Sequence, residues 1–233
     1  MSKFSLTKRA RRNRRKLKMQ VEDKTVCILV PCDDNVKTEF AFSLVEMVRH
    51  TLMQPENLAG ISVQAFGSTI LPFSRQQLAM HALEQKATHT LWIDSDMKFP
   101  KDMLLRFLRR DEPIIGINAM SRRAPFRNTA QSAPGVPLST TLHSSGLEKV
   151  HRMGFGVMWV ATDVFRQMET PYFNFEYVAE QGVWRGEDFD FFENARALGY
   201  EFYVDQDLSK EVMHMGSFGY NPVMMEQILE AQT

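Results

Sequence analysis

Thiols are scarce in this chain, with Cys27 and Cys32 the two cysteines in 233 residues. Their odd spacing on or beside one strand points them to opposite faces, which argues against a local disulfide. Two thiols make no zinc site without histidines at matching spacing, and none is nearby. Both are expected to be reduced and structural. Long apolar runs are also missing: nothing approaches the ~18 residues needed to span a bilayer, and the N-terminus lacks the apolar centre of a secretory signal. A soluble, cytoplasmic protein with no transmembrane segment is expected. No internal repeat is visible.

Acidic residues are absent before Glu22, while nine of the 28 Lys and Arg fall within the first 18 positions. The remainder carries 19 basic against 28 acidic residues, so the zero net charge conceals a strong asymmetry. A segment so charged and so poor in large apolar residues cannot bury enough surface to offset its ordering entropy. Residues 1–22 therefore read as a basic flexible arm suited to polyanions such as DNA, ahead of one domain over 23–233.

Within that domain the apolar pattern alternates between strand and helix. Thr25 to Pro31 reads as a buried strand, followed by a helix with Ala41, Leu44, Val45, Val48 and Leu52 on its core face. Gly60 to Phe66 is a second strand, and Ser74 to Lys86 a second helix with Ser74 as N-cap. Leu91 to Ile93 is the third strand. Pro100 introduces a helix with Leu104, Phe107 and Leu108 as its stripe, and Pro113 to Ile117 is the fourth strand. This order predicts an α/β fold with a mostly parallel sheet flanked by helices.

Periodicity fails from Asn118 to Lys149, where Arg122, Arg123 and Arg127 sit among prolines, serines and threonines. Loops this long usually serve function, and these arginines offer forked donors, so a mobile substrate-covering loop is expected. A strand at Met153 to Val160 follows, with a Gly-x-Gly that lacks the rest of a dinucleotide fingerprint and reads as a close backbone contact. Gly186-Glu187-Asp188 then opens a helix with Phe191, Ala195 and Leu198 on its apolar face, stopped by Gly199.

The chemistry concentrates at Leu91-Trp92-Ile93-Asp94-Ser95-Asp96, where an apolar run ends in two carboxylates. The period-2 geometry of a strand sets Asp94 and Asp96 on one side, at the sheet end where α/β folds bind ligands. Two such carboxylates repel unless a hard cation or donors separate them, and Mg²⁺ or Mn²⁺ so held usually serves a substrate phosphate. The Asp-x-Asp pattern also occurs at Asp188/Asp190 and Asp205/Asp207, so position in the fold must discriminate.

Taken in order, Val26 to Pro31, Arg75, LWIDSDMKFPKDML, Gly116 to Arg123, MGFGVM, GEDFDFFENARALGYEFYVD and Val212-Met213-His214-Met215-Gly216 resemble a GT-A glycosyltransferase. The kind is family-two-like, as found in phages and bacteria, and the resemblance covers roughly residues 25 to 217. It implies a GT-A Rossmann-like single domain whose co-substrate is a nucleotide-diphosphate sugar, most often a UDP-sugar.

The resemblance further implies that Asp94, Asp96 and His214, in a His-x-Gly with Gly216, hold Mn²⁺ or Mg²⁺. The donor side would comprise Pro31, Arg75, Asp94, Ser95, Asp96, Arg122 and Arg123, the arginines facing the diphosphate. Asp188 would be the general base, with Glu187 beside it and Trp184 and Gly186 at the acceptor. Departures are Arg75-Gln76, where relatives carry Arg-Asn, and the doubled Phe191-Phe192. The arm and the phage-like resemblance suggest a hydroxymethylated DNA base as acceptor, modified in the host cytoplasm if the chain is phage-encoded. The rival readings are a glycan acceptor, a nucleotidyltransferase acting on a sugar phosphate, and a noncatalytic nucleic-acid-binding protein.

Overall fold

The computed structural model describes residues 24–54, 58–122, 126–180, 182–216 and 219–223. The basic arm at 1–22 and Arg123 lie outside the described residues. In chain order the strands are β1 (Lys24–Cys32), β2 (Leu58–Gly67), β3 (His89–Ile93), β4 (Met97–Lys98), β5 (Ile114–Gly116), β6 (Gln131–Ala133) and β7 (Val136–Pro137). They continue as β8 (Leu147–Val150), β9 (Val157–Ala161), β10 (Glu176–Val178), β11 (Val183–Arg185), β12 (Phe202–Asp205), β13 (Met213–Met215) and β14 (Gly219–Tyr220). The helices are α1 (Thr38–Leu52), α2 (Leu71–Glu84), α3 (Met103–Leu108), α4 (Asp163–Gln167), α5 (Glu187–Ala197) and α6 (Gln206–Glu211).

A seven-stranded sheet in the order β2-β1-β3-β9-β5-β12-β8 organises the fold. β1, β2, β3, β5 and β12 run one way, whereas β9 is antiparallel to both β3 and β5, and β8 is antiparallel to β12. The mostly parallel α/β expectation holds, with β9 inserted between the third and fourth parallel strands. Gly116 permits that insertion: a Cβ there would lie 2.6 Å from Met153 Sδ and 3.0 Å from the Val157 carbonyl oxygen.

Both sheet faces are covered, which is why the central strands read as continuous apolar runs. Val26, Ile28, Val30, Leu91, Ile93 and Trp159 line one core with Phe40, Met47 and Phe107. Cys27, Leu29, Trp92, Met158 and Val160 line the other with Phe155, Phe165, Phe173, Phe191 and Phe192. Both cysteines are free thiols.

Three helix expectations shift. α1 buries Phe40, Ser43, Met47 and Thr51, while Val45 and Leu52 are 63% and 64% exposed. The larger Phe40 and Met47 turn the helix about one position from the expected face, and the Ser43 hydroxyl accepts from the Phe99 amide. α2 begins at Leu71 with Pro72 in its first turn, so Ser74 is buried inside the helix rather than capping it. In α5, Leu198 lies beyond the helix and is exposed, and Phe192 takes its place in the core.

The described residues of the Asn118 to Lys149 stretch, where helical and strand periodicity fails, include the short strands β6 and β7 and a buried polar hub. Asn118 Nδ2 donates to the Leu138 carbonyl and Thr140 Oγ1, its Oδ1 accepts from the Ala130 amide, and its own amide donates to Ser209 Oγ. These bonds satisfy a buried amide side chain on every side. Asp205, from the third Asp-x-Asp, caps α6 by accepting from the Asp207 and Leu208 amides. That pair is accounted for by local structure.

His89 stacks on Trp159 at 4.6 Å with the rings 16° apart. Burial, aided by the Lys24 charge, lowers its pKa to about 4. Between there and the ordinary histidine value the unfolded chain binds more protons than the fold, so stability falls as pH falls through that window. The loss reaches about 2–3 kcal/mol at its lower end. His89→Phe, which keeps a stacked ring without a titrating group, is expected to remove this component. Denaturant midpoints from pH 7 down to pH 4 would check it, and parallel profiles for variant and wild type would contradict it.

Candidate active site

The turn after β3 is pinned by three separate segments. The Asp94 amide donates to the Gly156 carbonyl at 2.9 Å, the Ser95 carbonyl accepts from the Lys37 amide at 3.0 Å, and the Asp96 carbonyl accepts from the Met215 amide at 2.8 Å. The small sheet β14-β13-β4 then sets His214 opposite Met97, one residue past Asp96. Backbone pairing thus brings a histidine from the far end of the chain to the strand-end carboxylates. Pro31 is buried at the end of β1 across from Phe66, and Ser95 is half-buried.

Asp94 and Asp96 leave this turn with different partners. Asp96 Oδ2 meets Arg122 Nη1 at 2.8 Å, and its Oδ1 lies 3.4 Å from His214 Nε2. The other ring nitrogen, Nδ1, is 2.9 Å from the Met120 carbonyl oxygen. A carbonyl can only accept, so Nδ1 carries the hydrogen, and the Nε2 of a neutral ring then faces the carboxylate with its lone pair. Partial burial pushes the Asp96 pKa up; with a proton on His214 Nε2, the hydrogen bond and charge of that ring, together with the Arg122 charge, outweigh burial and hold the group below the ordinary carboxylate value.

Asp94 turns instead toward Arg75, which is 2% exposed. Arg75 Nη2 lies 3.1 Å from Asp94 Oδ1, and Nη1 lies 2.7 Å from Glu187 Oε1. The guanidinium also lies over the Phe155 ring at 4.8 Å. Its fork, expected at a diphosphate, is committed to two carboxylates. Burial raises the pKa of Asp94 with Arg75 opposing, and burial likewise raises that of Glu187.

Glu187 and Asp188 begin α5 side by side yet open onto different spaces. Glu187 borders an open cavity of about 720 Å³ walled by Ile70, Phe73, Phe173 and Phe175. Asp188 borders a smaller one of about 260 Å³ with Arg152, Trp184, Arg185 and Phe189. Asp188 Oδ1 accepts from the Phe189 amide at 2.7 Å, and a Cβ on Gly186 would lie 3.1 Å from that oxygen. Trp184 is 64% exposed and stacked on Phe175 at 5.0 Å.

Ion pairs thus join Asp94, Arg75 and Glu187, and Asp96, Arg122 and His214, around the end of β3, whereas Trp184, Gly186 and Asp188 line a separate cavity. Phe155, Met120, Arg152 and Arg185 went unrecognised in the sequence. The Gly-x-Gly next to Phe155 signalled a close backbone contact, and Arg185 adjoins Trp184, but nothing local marks Met120 or Arg152. Among the described residues no three His, Cys, Asp or Glu side chains converge as a closed metal cage. Asp96 and His214 face each other as a carboxylate and an imidazole, two groups of the kind that could ligate a metal ion.

No protein-family profile and no curated protein matches the chain. Solved structures do. The A197 protein from STIV aligns with a TM-score of 0.58 and 13% identity over 85% of this chain and 90% of that one, which shows a shared fold. A glycosyltransferase involved in the glycosylation of the major capsid of PBCV-1 aligns at a TM-score of 0.32 and 17% identity, over 63% of this chain and 68% of that one. A nucleoside-diphosphate-sugar pyrophosphorylase from Vibrio cholerae RC9 aligns at 0.38 and 10%, over 89% and 81%. Neither of these two carries an argument about this chain. The fold is a mixed α/β one whose sheet is compatible with a Rossmann-like glycosyltransferase domain. No helix among the described residues is long and apolar enough to cross a membrane.

Removing the guanidinium between Asp94 and Glu187 leaves two carboxylates facing each other across a buried gap. Arg75→Met is expected to destabilise the fold by about 3–5 kcal/mol, the usual loss on breaking a buried ion pair from one side. Adding Glu187→Gln should recover part of that loss, read as a coupling in a double-mutant cycle by chemical denaturation. Simple additivity would show that the two residues do not act as a pair.

Proposed function

We propose that the chain is a metal-dependent glycosyltransferase that moves a sugar from a nucleotide-diphosphate sugar, a UDP-sugar first among them, to an acceptor hydroxyl. The observation that carries this reading is the pairing of Asp96 Oδ1 with His214 Nε2, its tautomer set by Met120. A lone pair aimed at a carboxylate is unfavourable unless a cation or proton lies between them, and the pair sits where an α/β sheet receives ligands.

The donor set fits Mn²⁺ or Mg²⁺, with Asp96 and His214 as ligands and Asp94 at the edge of the site. When bound, such an ion supplies charge neutralisation for a departing diphosphate. Arg122, 44% exposed at its side chain, can move from Asp96 to the phosphates and add to that neutralisation. Arg75 holds Asp94 and Glu187 in place from below. Asp188 accepts the proton of the acceptor hydroxyl as its oxygen bonds to the anomeric carbon, and the bond from that carbon to the phosphate oxygen breaks to release the nucleoside diphosphate.

A nucleotidyltransferase would use the same strand-end carboxylates and release pyrophosphate, so product analysis separates the two. The DNA acceptor expected from the arm depends on residues outside the described ones.

Asp96→Asn is expected to remove most metal-dependent turnover while the circular dichroism and melting behaviour stay near wild type, because the amide keeps the shape but loses the charge. Full turnover in excess EDTA would sink the metal assignment. Asp188→Asn should preserve donor binding and slow transfer by roughly 10² or more, as for loss of a general base. If donor affinity collapses while transfer continues, Asp188 belongs to the donor site.

A further inference from the structure

The helix α1 has two apolar faces. Phe40, Ser43, Met47 and Thr51 turn to the sheet, and helical spacing places Phe42, Val45, Glu46, Arg49, Leu52 and the cap residue Met53 together on the opposite side. Phe42 and Met53 are 68% and 69% exposed, and Val45 and Leu52 follow closely. A helix that covers a sheet ordinarily keeps its outer face polar. Four large apolar side chains over about three turns make a contiguous patch instead, and such patches mark interaction surfaces.

The two charges within the stripe indicate what fits it. Glu46 and Arg49 form no ion pair with each other or with any other described residue, and Arg49 Nη1 rests 3.6 Å from Met53 Sδ. Most homodimers are two-fold symmetric, so every contact is made twice. When two copies of α1 run antiparallel about an axis passing between Met47 and Val48, Phe42 lies opposite the partner's Met53 and Glu46 opposite the partner's Arg49. Val45 and Leu52 then fill the spaces between. A parallel pair would set Glu46 against Glu46 and Arg49 against Arg49, with like charges in contact. The stripe is therefore complementary to itself in one orientation. The arm at 1–22, basic and poor in large apolar residues, matches neither its apolar side chains nor its paired signs.

We propose that the outer face of α1 is a homodimer interface, with two copies of the chain packed antiparallel across a two-fold axis. The inference does not depend on the glycosyltransferase reading. Side chains of these sizes, about two-thirds exposed, present roughly 500 Å² per copy and about 1,000 Å² in a dimer, the lower bound for a specific interface. Association is therefore reversible and falls in the micromolar range.

Sedimentation velocity of the full chain from about 1 to 300 µM tests this. The mass is expected to rise from one chain to two, and Phe42→Glu to hold it at one chain with an unchanged circular dichroism spectrum. Glu46→Arg and Arg49→Glu should each weaken self-association by about tenfold or more. An equimolar mixture of those two variants should associate where neither does alone, and a chain carrying both exchanges should regain the dimer. One-chain mass at every concentration would overturn the proposal. So would a dimer that persists in Phe42→Glu, or one indifferent to both charge reversals. A monomer that binds phosphatidylcholine vesicles through Phe42 would give the stripe to a membrane surface, and a dimer lost on deleting residues 1–22 but kept in Phe42→Glu would give association to the arm. Either result contradicts the proposal.

Discussion

Arg75 lies almost wholly out of solvent between Asp94 and Glu187, with Phe155 under its guanidinium. One buried cation thereby joins the end of β3 to the start of α5, elements separated by more than ninety residues of chain. Two carboxylates brought that close in a low-dielectric setting would repel strongly, and one would take a proton. The arginine settles the competition and gives each a defined direction. Its position follows from α2 starting at Leu71, which turns Ser74 and Arg75 inward together.

That bridge frees Asp96 for a separate role. With Asp94 turned to Arg75, Asp96 faces His214 and Arg122, on the open side of the strand end. The arrangement divides the site into a buried half and a more open half, each with its own arginine. The same division recurs at the start of α5, where Glu187 belongs to the bridge and Asp188 to the small cavity. Adjacent residues at a helix start point about 100° apart, so two neighbouring carboxylates can serve two compartments.

Much of this was legible in the chain. The apolar runs ending at Pro31, Ile93 and Ile117 mark sheet strands, and the Asp94/Asp96 pair marks the end of one of them, where Arg75, Arg122 and His214 collect. Period-2 reasoning failed beyond Ile93, because Asp94 to Asp96 form a turn rather than an extended strand. The helix faces went astray where Phe40, Met47 and Phe192 won core positions from smaller or terminal residues, a tertiary decision that local periodicity does not record. β9 entered the sheet from some forty residues beyond its neighbour β5, and Asn118 found partners from three segments. Such contacts have no local signature. For Arg75, the sequence shows a charge but not the two carboxylates that pair with it.

The central claim is that Asp96 and His214 jointly ligate a divalent cation. Electron–nuclear double resonance of Mn²⁺ added to protein carrying ¹⁵N-labelled histidine, with a nucleoside diphosphate present, tests it most directly. A nitrogen coupling from one histidine, present in wild type and lost in His214→Gln, is the predicted result. Bound Mn²⁺ with no histidine coupling, or a coupling that survives the substitution, would contradict it.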